Sequence, residues 1–153
     1  MKTQFSAYRW FSLLLAAAFI FMGCKVFNVA VGGDIVTETI SIEPQGATSL
    51  SVLIEMDLGE LKLHGMGNTL LQGSFTYNVP EWKPSTVYEV AGDKGVLRIT
   101  QPGSDTNLTN DPVNTWDLGL GEDLPMNMEI NLGAGTSDID LTRIDVTSLR
   151  VST

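Results

Sequence analysis

Three kinds of side chain in this 153-residue chain have the chemistry to act on a bond: one thiol, one imidazole and a supply of 18 carboxylates. Cys24, the only cysteine, follows Gly23 at the end of an apolar run from Trp10 to Met22, itself preceded by Lys2 and Arg9. A basic start, a short apolar stretch and a small residue before the cut mark a cleaved export signal. The run falls short of the roughly 20 residues a membrane-crossing helix needs, and Lys25 follows at once. A lone thiol outside the cell is a liability unless it is modified. Residues 1–23 are therefore expected to be removed as a signal peptide, with the cut between Gly23 and Cys24. Cys24 is expected to hold the protein to membrane lipid through a diacylglyceryl group, with residues 24–33 as anchor and linker. That use closes the thiol to catalysis.

The imidazole and the carboxylates offer less. His64 lies in Leu63-His-Gly65, where a strand meets a Gly-rich turn, and reads as a turn histidine rather than a base. No Gly-x-Ser-x-Gly elbow is present, although a Ser-His-Asp set assembles in space and not along the chain. A glycosidase needs two carboxyl groups flanking its bond, and Glu122-Asp123 and Asp138-x-Asp140 are the candidates. The second pair shares one face of a strand, opposite Ile139 and Leu141, as a solvated face also would. Gly133 to Leu141 carries one imperfect copy of a Gly-rich, Asp-containing calcium repeat, which works only in consecutive copies. Gly65-x-Gly67 and Gly133-x-Gly135 lack the third glycine of a dinucleotide loop and precede no helical pattern. Asn107-Leu-Thr109 fits a glycosylation acceptor, which matters only in a eukaryotic secretory pathway. No catalytic residue, metal or cofactor is predicted.

Charge narrows the partners. Nine basic and 18 acidic residues give −9, and because Lys2 and Arg9 lie before Cys24 while no acid does, the remainder carries −11. Such a surface repels phosphate backbones and anionic headgroups, which argues against nucleic acid and a polybasic membrane contact. Half the aromatics fall before Cys24, leaving Phe27, Phe75, Tyr77, Trp82, Tyr88 and Trp116. Pro80 and Pro84 remove backbone donors around Trp82, so residues 79–85 are expected to cross between strands as an ordered extended loop. Trp82 then plugs one end of the core. The alternative sets Tyr77, Trp82, Tyr88 and Trp116 out as ligand contacts, stacking on sugar rings.

The elements that would position these groups are strands. Apolar residues alternate with a period of two over Ile35 to Ile42, Leu50 to Met56, Leu61 to Leu63, Leu70 to Tyr77, Thr86 to Val90, Val96 to Thr100, Met126 to Leu132, Ile139 to Leu141 and Leu149 to Val151. Turn formers separate them at Gly32-Gly33, Pro44 to Gly46, Gly65 to Asn68, Gly92 to Gly95, Pro102 to Asp105 and Gly133 to Gly135. Residues 34–153 are thus expected to form one all-β domain. Met56-Asp-Leu-Gly59 and Ile130-Asn-Leu-Gly133 repeat a motif whose leucines lie 74 residues apart, with a partial echo at Trp116-Asp-Leu-Gly119. That interval has room for roughly three solenoid coils.

The segments Leu71 to Pro84, containing Tyr77-Asn-Val-Pro-Glu-Trp-Lys-Pro84, Tyr88 to Val90, Gly95 to Pro102, Asn114 to Leu118 and Leu124 to Leu141 resemble the bacterial toast-rack domain. The resemblance runs from about Val31 to the end. It implies a solenoid-like stack of short strands acting as an adhesive module without catalysis, in a family with members linked to cell-wall stress. Phe21-Met-Gly-Cys24 resembles the bacterial lipoprotein signal in its Gly-Cys part. Leu149 to Thr153 stops inside a strand without a polar cap, which predicts that further repeats follow. Together these readings predict an extracytoplasmic, membrane-anchored structural or adhesive module with an envelope protein or a glycan as partner. A glycan- or cell-wall-binding module is the alternative, and a carbohydrate-active hydrolase is the more distant one.

Overall fold

The computed structural model describes residues 33–103 and 111–153. The predicted signal at 1–23, Cys24, the linker up to residue 32 and Asn107-Leu-Thr109 lie outside the described residues. Eight strands follow in order: β1 Val36–Ile42, β2 Ser49–Gly65, β3 Leu71–Tyr77, β4 Ser85–Ala91, β5 Lys94–Thr100, β6 Asn114–Leu120, β7 Met126–Ile139 and β8 Val146–Ser152. The only helical element among the described residues is a 3-10 turn at Pro80–Trp82, which replaces the extended loop expected there. Pro80 starts it at a position where its missing N–H costs nothing.

One sheet joins all eight strands in the order β1-β3-β6-β2-β5-β4, with β7 on the other edge of β2 and β8 beyond it. β2 is the spine. β5 lies parallel to its first half, Ser49 to Glu55, and β6 parallel to its second half, Glu60 to Gly65. β7 runs parallel along the opposite edge from Leu50 to Leu63. β4 closes on β5 as a hairpin through Gly92-Asp93, and β3 and β1 extend antiparallel from β6. The result is a nearly closed, barrel-like sheet rather than a plain stack of short strands. The chain between the two Leu-Gly motifs forms β3, β4, β5 and β6 of this sheet, not three intervening coils.

Two predicted features change at the corner of β2. Leu50–Met56 and Leu61–Leu63 are one 17-residue strand, bent where Gly59 takes φ 146°. Likewise the expected turn at Gly133 to Gly135 is a bend inside β7, with Gly135 at φ 145°. The two bends stack, Gly59 opposite Gly135 and not Gly133, a two-residue offset from the motif alignment. An even offset leaves every side chain on its own face. The bend itself drops one residue from the alternation: Leu50, Val52, Ile54 and Met56 face inward before it, Leu61 and Leu63 after it. Both halves of the spine thereby line one core with Leu71, Phe75, Leu97, Ile99, Trp116, Leu118, Leu120, Met126, Met128 and Ile130. Phe75 meets Trp116 edge-on, ring centres 5.5 Å apart.

β5 ends and β6 begins beside the corner, so residues 56–59 have no strand on that edge. Two buried amides fill the gap. The Gln101 Oε1 accepts from the backbone N–H of Asp57 (3.1 Å) and Leu58 (3.2 Å), and the Asn114 Nδ2 donates to the Leu58 carbonyl (2.6 Å) and to Gln101 Oε1 (3.1 Å). The Trp116 Nε1 donates to Asn114 Oδ1 (2.9 Å). Side chains here substitute for a ladder that the bend interrupts, as a buried backbone requires.

Candidate functional site

Beyond the corner, β7, β2, β6, β3 and β1 present a continuous outer face. Their ladders set Asp138, Lys62, Asp117, Ser74 and Thr39 in one row and Thr136, Glu60, Thr115, Thr76 and Thr37 in the next. A third row brings Gln72 and Ser41 level with Gly119 and His64. Near Gly119 this face is notched. Thr39, His64, Met66, Gln72, Ser74 and Asp117 surround an open cavity of about 390 Å³. The His64 Nδ1 lies 3.5 Å from Asp117 Oδ1, and both side chains are about half exposed. A Cβ at Gly119 would lie 2.9 Å from Met66 Cβ and 3.4 Å from His64 Nε2, so only glycine leaves the notch open with those side chains in place.

Ser74, His64 and Asp117 thus share one cavity, but in an order that defeats a hydrolytic relay. Ser74 on β3 is opposite Asp117 on β6, while His64 is on β2, beyond β6. Two strand spacings, about 9.6 Å, separate the serine strand from the histidine strand. A base must stand between the nucleophile and the orienting acid, and here the acid stands between. One member of each carboxylate pair is engaged structurally. Glu122 Oε1 takes the Gly67 N–H (3.2 Å) and Arg143 Nη2 (2.7 Å), stapling two turns. Asp140 Oδ1 accepts from Thr142 Oγ1 (2.6 Å) and the Thr142 N–H (3.0 Å). These bonds, the hydroxyl's first, hold the Asp140 carboxyl below the usual carboxylate range. Among the described residues no three His, Cys, Asp or Glu are grouped to hold a metal.

The predicted aromatic contacts go inward. Trp82 and Trp116 are 2% and 0% exposed and Tyr77 5%, so they form no stacking platform. Tyr88 packs against the core, and its hydroxyl donates to the Pro44 carbonyl at 2.6 Å.

Glu38 was not singled out by the sequence, yet it points inward on the edge strand β1. Its Oε1 accepts from Tyr77 Oη (3.0 Å) and Lys83 Nζ (2.8 Å). The Lys83 bond and then the Tyr77 bond hold the Glu38 carboxyl below its ordinary value. Burial, then the Glu38 bond, raises the Tyr77 hydroxyl, while Lys83 is raised chiefly by its bond to Glu38. A depressed carboxyl stabilises the fold above its ordinary pKa of about 4.3 and loses that contribution as pH falls through its folded value. Raised Tyr and Lys groups contribute below their ordinary values near 10 and lose it as pH rises through the folded ones. In urea titrations, Glu38→Gln should therefore unfold at lower urea than the native chain at neutral pH. The gap should close in acid below the carboxylate range and shrink again above about pH 10. A constant gap across pH would reject this coupling.

A second outer surface lies on the first half of the spine, where Arg98, Leu53, Glu129 and Arg150 form one row across β5, β2, β7 and β8. The notch residues Thr39, Gln72, Ser74 and Asp117 are ones sequence reasoning passed over. Their signal was the outward half of each period-two run, as in Gln72-x-Ser74-x-Thr76 and Glu60-x-Lys62-x-His64.

Among the described residues no helix is long and apolar enough to cross a membrane. The sequence model of the N-terminal domain of toast_rack (DUF2154) matches residues 31–153. Among solved structures, the chain is similar to a candidate cell adhesion protein from Clostridium sporogenes ATCC 15579, with 32% identity and a TM-score of 0.73 over 77% of this chain and 57% of that one. It also matches a candidate adhesin from Parabacteroides distasonis ATCC 8503 at 14% identity and a TM-score of 0.38, covering 78% and 52% of the two chains. A candidate adhesin from Parabacteroides merdae ATCC 43184 follows at 12% and 0.36, covering 79% and 53%. The chain spans just over half the length of each of these proteins. No curated protein matches it.

Proposed function

Because the chain belongs to the family of the N-terminal domain of toast_rack, we propose that it is an adhesive, non-enzymatic interaction module held on the outer side of a cell membrane. The observation that carries this reading is the 32% identity and TM-score of 0.73 with the Clostridium sporogenes cell adhesion candidate. The outer faces support it as well, since they offer broad, rigid, polar surfaces on ladders and no relay for bond cleavage. Within the same reading, the parallel run β2-β7-β8, with its stacked corners at Gly59 and Gly135, is the opening of a β-solenoid stack. The tether is Cys24, and a role in the envelope stress response goes with the family.

Both halves of the reading meet in one experiment on cells producing the full chain. The membrane-extracted protein should begin at Cys24 with the added mass of a diacylglyceryl group, and the cells should adhere more strongly than cells lacking it. Two acyl chains hold firmly at a membrane, so Cys24→Ala should shift the protein to the soluble extracytoplasmic fraction and abolish the added adherence. An intact mass starting at Met1 would overturn the anchor. Unchanged adherence with and without the protein would overturn the adhesive role.

A further inference from the structure

We propose that the notch around Gly119 is a saccharide-binding subsite, contacting neutral sugar hydroxyls through Asp117, Gln72, His64, Ser74 and Thr39 with Met66 as its apolar wall. The proposal rests on the adhesive reading and names the chemistry that the adhesion would recognise.

The side-chain inventory is what selects this ligand class. Asp117 only accepts, Gln72 accepts and donates, and Ser74 and Thr39 do either, while a neutral imidazole offers one of each. A hydroxyl both donates and accepts, so a ligand carrying several fits such a mixed set. These groups stand on a rigid grid, about 4.8 Å between strands and about 6.8 Å between outward residues of one strand. Their positions are fixed by ladders rather than by loops, which lowers the ordering cost of binding. The His64–Asp117 contact at 3.5 Å orients two of the groups before a ligand arrives. Met66 supplies a polarisable surface against which the C–H side of a sugar ring can lie, and it is folded over Gly119. At about 390 Å³ the notch falls in the size range of small-ligand clefts, about 300–1,000 Å³.

Other ligand classes fit less well. An anion would meet Asp117 with Asp138 and Glu60 in the same and adjacent rows, where Lys62 is already paired with Glu60 at 3.4 Å, on a protein of strongly negative charge. A cation finds no third ligand, as no such group of three exists among the described residues. A peptide strand adds to a free sheet edge, but the notch is inside the sheet, where β6 is already laddered to β2 on one side and β3 on the other.

The test uses the full chain in detergent micelles, titrated by calorimetry with soluble oligosaccharides of neutral hexose and of N-acetylhexosamine units. At least one of the two probes should bind, and Asp117→Ala and Gln72→Ala should each weaken it at least tenfold, about 1.4 kcal/mol. Both residues face solvent on ladders, and unchanged circular dichroism and urea midpoints would certify the fold. Arg98→Ala, on the other outer surface, should bind as the native chain does. Absence of binding by both probes, or native affinity in both notch variants, would overturn the proposal; so would a loss confined to Arg98→Ala. If cells still adhere while neither probe binds, the saccharide assignment fails and the adhesive reading stands. If the probes bind and the cells do not adhere, the adhesive reading fails and the subsite stands.

Discussion

Gly135→Ala should lower unfolding stability by about 2–6 kcal/mol, a large fraction of what a marginal domain has. Two effects add. At φ 145° the backbone is in a region that L side chains rarely adopt, which costs about 1–3 kcal/mol. A Cβ there would also run into the Gly59 carbonyl oxygen and carbon, and relief would require moving the backbone of β2 or β7, which are laddered to each other through the corner. Overpacking of that kind costs about 1–3 kcal/mol more. Gly133→Ala meets the Asp57 carbonyl in the same way but without a positive φ, so it should cost less than Gly135→Ala. Gly103→Ala makes a useful control: it has φ 68° with nothing within 4 Å, so it should show the backbone term alone. The check is the urea midpoint of the three variants. Equal midpoints for Gly135→Ala and Gly103→Ala would mean that the stacked corners are not in close contact.

That corner also marks where the fold stopped being legible in the sequence. The alternation of Ile35 to Ile42, Leu70 to Tyr77 and Val96 to Thr100 predicted strands within a residue or two of the observed ones, because half-buried strands must alternate. The same rule failed at Met56 to Leu61, where the inward set changes parity; read locally, the two runs are separate strands and Gly133 to Gly135 is a turn. Only the neighbouring strand shows that the chain bends without leaving the sheet. β6 was missed for a related reason. Its inward residues Asn114, Trp116, Leu118 and Leu120 include a polar one, and its outward Gly119 looks like an end. Asn114 reads as a turn former until its partners at Leu58, Gln101 and Trp116 are known, and those come from distant segments.

The notch was illegible on the same grounds. Alternation over Leu70 to Tyr77 leaves Gln72 and Ser74 facing solvent, but outward residues on four different strands become one site only through the sheet order β1-β3-β6-β2. Non-consecutive pairing of that sort has no local signature. The aromatic residues illustrate the opposite case. The sequence carried two readings for Trp82 and Trp116, core plug or sugar platform, and the burial of both rings selects the first. In a domain this small, large rings are too valuable to the core to be left outside it.

The second large effect belongs to Asn114, and it separates polar satisfaction from packing. Asn114→Ala should destabilise by about 3–6 kcal/mol, because the side chain serves three partners, the half-buried Leu58 carbonyl and the buried Gln101 and Trp116. Its loss leaves the Leu58 carbonyl and the Trp116 Nε1–H without the bonds they make at 2.6 Å and 2.9 Å, and removes one donor to Gln101 Oε1. A buried polar group left unpaired costs about 1–3 kcal/mol, and the Asn114 side chain is itself buried at 4% exposure, so truncation also opens a void. Asn114→Asp tests the donor specifically. It preserves volume and can still accept from Trp116, but it sets a carboxylate oxygen against the Leu58 carbonyl and Gln101 Oε1, so it should be at least as destabilising as alanine near neutral pH and improve in acid as the carboxyl protonates. Trp116→Phe removes the indole N–H and should cost less in an Asn114→Ala background than alone, since the bond it deletes is already gone. The coupling measured by that double-mutant cycle is expected to reach 0.5–3 kcal/mol for residues in one hydrogen-bond network, as a rough range. Strict additivity would mean that the corner is held by its apolar contacts and stacked glycines, with the amides as bystanders.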